Sequence, residues 1–89
     1  MTVLHESDEL KTVLVGLRAG QRLPVHPGPA ACFVFLDGDA VMTVGADEVA
    51  VSAGGLVVVP TGADRGVRAI TDVVFVGNLG DPASERGPH

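Results

Sequence analysis

Gly54-Gly55-Leu56-Val57-Val58-Val59-Pro60-Thr61-Gly62-Ala63-Asp64-Arg65 is the stretch whose reading decides the fold. The paired glycines accept a tight turn with positive φ, and the run from Leu56 to Val59 is mostly β-branched and so favours a strand. Pro60 brings no amide hydrogen and ends that strand. Gly62 allows a second reversal, which turns Asp64 or Arg65 back towards the body of the molecule. A strand held between two reversals within a dozen residues is the unit of a small barrel.

Working outward, residues 20–38 read GQRLPVHPGPAACFVFLDG. Pro24, Pro27 and Pro29 bracket His26 in a stiff, extended piece that is unsuited to a central ladder. Cys32 to Leu36 is an uninterrupted apolar run, which reads as a strand buried on both faces. Asp37-Gly38-Asp39 signals a hairpin into Ala40–Val44, because glycine accepts the positive φ of primed turns. Residues 45–48 turn again before Val49–Ser52, and Val67–Ile70 with Val73–Val76 form a last hairpin around Thr71-Asp72. Towards the N-terminus, Thr2–Leu4 is a short edge strand, Glu6 to Glu9 an acidic turn, and Lys11–Arg18 a strand. Short strands at this spacing specify an all-β sandwich or barrel with no helix. An immunoglobulin-like sandwich competes, but the chain lacks the Trp and paired Cys of that architecture.

The glycine and proline frame carries a resemblance. Gly20, His26, Gly28 and Gly38, followed by Gly54, Pro60, Gly62 and Arg65, resemble the two motifs of the cupin family over residues 11–79. The resemblance implies an all-β fold, a small cupin-like antiparallel β-barrel of the double-stranded β-helix or jelly-roll type. It would occupy residues 1–79, with residues 80–89 a polar tail expected to be poorly ordered. Metal-binding cupins take two His and one Glu from the first motif and one His from the second. Here those positions read His26, Gly28, Ala31 and Arg65, so only His26 matches, and neither a standard metal site nor another cofactor is expected. Counting back from Gly38 places the Glu position on Ala31, or with a slip of one on Cys32.

Composition bounds what the chain does. Its 89 residues make one domain, with 46% hydrophobic residues but only three Phe and no Trp or Tyr, so the core must be mainly Val, Leu and Ala. A chain this short buries roughly 60% of its unfolded surface, which leaves little margin and favours association; a homodimer is expected. A net charge of −5 and the lack of aromatic stacking platforms disfavour nucleic acid. The single Cys32 makes no intrachain disulfide, the start MTVLHESDE lacks a signal peptide's basic and apolar regions, and the apolar run Ala30–Leu36 is too short to span a membrane. These features point to a cytoplasmic protein that binds neither membrane nor nucleic acid.

The candidate site residues each have a plain alternative. His26 is either a ligand or proton carrier, or a hydrogen-bonded loop residue. Cys32 is either reactive or a small inert core residue. Arg65 either enters the barrel as an anion receptor or reaches solvent. Phe33 and Phe35 share a strand face with Ala31, which lines an apolar interior or simply fills it. The expected site joins them: His26 and Arg65 meet at the barrel mouth on the anionic group of a small organic ligand, whose apolar part enters between Phe33, Phe35 and Ala31. Two other functions stay open. One is a metal-dependent dioxygenase or isomerase, as the resemblance would suggest, using His26 with Cys32 or Asp64. The other is a non-catalytic dimerisation or regulatory barrel.

Overall fold

The computed structural model describes residues 2–7 and 10–80. These residues form strands and no helix: β1 (Thr2–Glu6), β2 (Leu10–Leu17), β3 (Arg22–His26), β4 (Ala31–Asp37), β5 (Asp39–Val44), β6 (Asp47–Ser52), β7 (Leu56–Val59), β8 (Arg65–Ala69) and β9 (Val73–Gly80). They pair antiparallel in two sheets, a five-stranded one in the order β1-β2-β9-β4-β7 and a four-stranded one in the order β3-β8-β5-β6. The two sheets face each other as a jelly-roll barrel.

Period-two alternation drives the packing. From the five-stranded sheet Val13, Val15, Ala31, Phe33, Phe35, Val73 and Phe75 point inward; Ala40, Met42, Val51, Val67 and Ala69 answer from the other sheet. Phe75 anchors the contact. Its ring stacks on Phe35 at 5.0 Å between centroids and meets Phe33 edge-on at 6.0 Å. Aromatic pairs in these arrangements add about 0.5–1.5 kcal/mol beyond the area they bury.

Both expected edge strands are edges: β1 ends the five-stranded sheet, and the proline-bearing β3 ends the four-stranded one. Pairing of β3 with β8 slips between Leu23 and His26, around Pro24, which has no amide to give to a ladder. The β5–β6 connection is a true hairpin, with Val44 opposite Asp47 and Gly45 at φ +61°.

Two other expected hairpins are sheet-to-sheet corners instead. No ladder joins β4 to β5 or β8 to β9, because each turn carries the chain from one sheet to the other. The sequence signals a reversal at Gly38 and at Thr71-Asp72, but a reversal does not determine which strands pair. The corners lock together: Asp39 N donates to Thr71 Oγ1 (2.9 Å) and Ile70 N to the Asp39 carbonyl (2.9 Å).

The C-terminal boundary also differs from expectation, since β9 runs through Asn78 to Gly80. The Asn78 side chain accepts from Thr12 Oγ1 (3.0 Å), which ties this end of β9 to β2. The expected tail therefore loses residue 80 to the barrel, and residues 81–89 lie outside the described part, as do Asp8 and Glu9 of the acidic turn. Nor is β4 buried on both faces: its outward Cys32 and Val34 are half-buried and Leu36 is 53% exposed.

Candidate functional site

Between the sheets lies a cavity of about 220 Å³. Val13, Val15, Phe33, Phe75 and Leu79 line it from one sheet, and Leu23, Met42 and Val67 from the other; its polar side chains are His26 and Arg65. The last two are Cα partners across β3 and β8, so the two strands present them side by side.

Arg65 is built into the wall rather than reaching solvent. It is 4% exposed, and Nη2 donates to the Gly28 carbonyl at 2.9 Å and to the Ala63 carbonyl at 3.0 Å. The Gly28 carbonyl also accepts from Gly62 N (2.9 Å), so the two turns that frame the mouth share one acceptor. Starting β8 at Arg65, two residues earlier than the apolar pattern indicates, gives the arginine the inward parity of Val67 and Ala69. A guanidinium held this way keeps its charge, because the group does not deprotonate in proteins.

His26 is exposed at the rim. Its Nδ1 lies 2.9 Å from the Pro27 carbonyl. A carbonyl only accepts, so Nδ1 carries the proton of that bond and Nε2 remains as the ring atom for a ligand.

The other expected residues divide. Phe33 borders the cavity as anticipated. Phe35 and Ala31 share its inward face but do not border the open space: Phe35 is fully enclosed by its stack on Phe75, and Ala31 is buried opposite Leu79 and Val59. Conversely, Phe75, Met42 and Leu79 line the cavity without having been singled out. Their inward parity is readable, but which inward residues flank a void depends on how the two sheets meet.

Cys32 points away from the cavity, onto the outer face of β4, so the expectation of a core cysteine does not hold; Asp64 is exposed and borders no part of the cavity. The donor set therefore does not fit a transition metal. Gly28 and Ala31 offer no side-chain donor, the Arg65 guanidinium is a cation, and a Cβ added at Gly28 would lie 3.3 Å from Arg65 Cζ. Among the described residues no three of His, Cys, Asp or Glu cluster, and no carboxylate borders the cavity to pair with His26 in acid–base work. A wider groove of about 340 Å³ on the outer face of the four-stranded sheet mixes Arg22 and Arg68 with Glu48 and has the make-up of an ordinary solvated face.

The family model described as "Cupin domain" matches residues 5–76 of the chain. No curated protein matches it in a sequence search. Among solved structures, an RmlC-like cupin from Desulfovibrio desulfuricans is similar at 30% identity and a TM-score of 0.81, covering 90% of this chain and 79% of its own. A conserved protein of unknown function from Streptococcus pyogenes is similar at 23% identity and TM-score 0.84, covering 90% and 71%. KdgF from a Halomonas species is similar at 15% identity and TM-score 0.84, covering 97% and 82%. The last two likenesses speak to fold alone.

Proposed function

The chain belongs to the cupin family, and from that premise we propose that it binds a small organic anion inside the barrel, without a standard metal site. The observation that carries this reading is the pairing of one buried, permanently charged Arg65 with the rim imidazole of His26 on an otherwise apolar cavity. A mostly apolar pocket with one or two convergent polar groups is the usual form of a small-molecule site. Arg65 supplies a planar fork suited to carboxylate or phosphate, and His26 Nε2 adds a second contact at the mouth. The apolar part of the ligand lies against Phe33 and Phe75. A volume of about 220 Å³ corresponds to about seven waters of bulk liquid, which sets the ligand well below drug size.

The test is a thermal-shift screen with small carboxylates and phosphate monoesters on the wild type and Arg65→Ala. A ligand at about ten times its Kd stabilises by about 1.4 kcal/mol, a rise in Tm of about 6–11 °C for a domain of this size. The rise should vanish in Arg65→Ala. A screen in which no compound stabilises the wild type, or in which the arginine makes no difference, defeats the proposal.

A further inference from the structure

The polar side chains of the cavity stand at one end of it. Arg65 is the Cα partner of His26 on β3 and of Val44 on β5. One inward step along those strands, about 6.7 Å, the next row reads Leu23, Val67, Met42, again as successive Cα partners. The opposite wall is Val13, Phe33 and Phe75. Gly77, between Val13 and Phe33 in the sheet, brings no side chain of its own, and an added Cβ there would lie 3.1 Å from Phe33 Cε1, so the phenyl ring takes that place. Below the Arg65 row the described side chains therefore offer a ligand hydrocarbon and the Met42 thioether, which is only a weak acceptor. The backbone adds little, because β2, β4, β5, β8 and β9 each have a neighbour on both sides and spend their amides and carbonyls in ladders.

We infer that the ligand is a short monocarboxylate with an unsubstituted hydrocarbon tail of about four carbons, and that hydroxylated acids, sugar acids among them, and phosphate esters are poor ligands. This rests on the anion site proposed above and names its ligand class. Solvation decides against hydroxyl groups. A hydroxyl carried below the Arg65 row gives up its water and meets no side-chain partner stronger than the thioether, whereas a methyl in the same place loses nothing. In a hydrophobic pocket such a swap separates isosteres by up to about 100-fold. Room decides the head group and the length of the tail. A cavity of about 220 Å³ has the bulk volume of about seven waters and so takes about seven non-hydrogen atoms. A carboxylate uses three of them and leaves four for carbon. A phosphate ester uses five and leaves two, which cannot cover Phe33, Phe75 and Met42 together. Each CH₂ that the ligand lacks forgoes about 4-fold in affinity. The planar carboxylate also matches the guanidinium fork at the mouth.

Titration of the full chain with isovalerate, followed by the NMR chemical shifts of its backbone amides, tests this against four matched probes. In 3-hydroxybutyrate one methyl of isovalerate is replaced by a hydroxyl; either enantiomer should bind at least about 10-fold more weakly. Propionate lacks two carbons and should bind about 15-fold more weakly. Ethyl phosphate has as many non-hydrogen atoms as isovalerate but only two carbons, and it should lose at least as much as propionate. Isovaleramide keeps the shape and loses the charge, so it should not bind measurably, and it asks for the anion without disturbing the fold. Arg65→Ala asks the same from the protein's side and should abolish binding of isovalerate. If 3-hydroxybutyrate or ethyl phosphate binds as tightly as isovalerate and loses that binding in Arg65→Ala, the anion site stands and the hydrocarbon tail is overturned. If isovaleramide binds as well as isovalerate, or if no probe shifts the amides, the anion site and the tail fall together.

Discussion

Gly38→Ala is expected to cost at least about 3 kcal/mol and to lower the melting temperature by about 12–24 °C, an effect at the severe end for a single added methyl. Gly38 has φ +85°, where a Cβ alone costs about 1–2 kcal/mol. The greater part of the loss is steric. The added carbon would overlap the Asp72 carbonyl oxygen and would lie 2.9 Å from Val73 Cα, both of them backbone atoms that cannot rotate aside. Relief requires the two corners to separate, which breaks the bonds from Asp39 N to Thr71 Oγ1 and from Ile70 N to the Asp39 carbonyl. Since β4 passes to β5 and β8 to β9 at these corners, separating them opens the barrel between its sheets. Gly62→Ala is the matched control: φ is +81°, but nothing lies within 4 Å of the added carbon, so only the conformational cost of about 1–2 kcal/mol should appear. Equal losses in the two variants, measured by thermal melts, would show that the corners yield without strain.

The contrast between these glycines marks how far the sequence could be read. Reversals at Gly38, Gly45, Gly54 and Gly62 were legible, because positive φ is a local requirement and glycine meets it; all four adopt it. Strand identity was legible through β-branched runs and alternation. Pairing was not: the Asp37-Gly38-Asp39 turn looks the same whether its strands form a ladder or leave for different sheets, and only the contact with Asp72, far along the chain, tells them apart. The candidate site followed the same division. The inward parity of Phe33 and Phe35 could be read from period two, yet Phe35 is sealed by Phe75, a partner from β9. Arg65 was equally consistent with solvent until its bonds to the Gly28 and Ala63 carbonyls placed it inside.

Gly28 and Arg65 should in turn be energetically coupled. Residue 28 has no positive φ, so its lack of a side chain is not required by conformation; the guanidinium lies against its α-carbon, with Cζ at 3.3 Å, Nε at 3.4 Å and Nη2 at 3.6 Å from an added Cβ. Any larger side chain there competes with a buried cation that is already bonded to Gly28's own carbonyl. Gly28→His should therefore destabilise the protein by about 2–4 kcal/mol, combining overpacking with loss of the arginine's bonds. Arg65→Ala removes the obstacle, and in that background the same substitution should cost about 1 kcal/mol or less. A double-mutant cycle by urea denaturation would then give a coupling of about 1–3 kcal/mol, the range for residues in direct contact. If Gly28→His costs the same with and without Arg65, the guanidinium does not exclude a side chain at position 28, and its hold on the cavity wall is weaker than the geometry indicates.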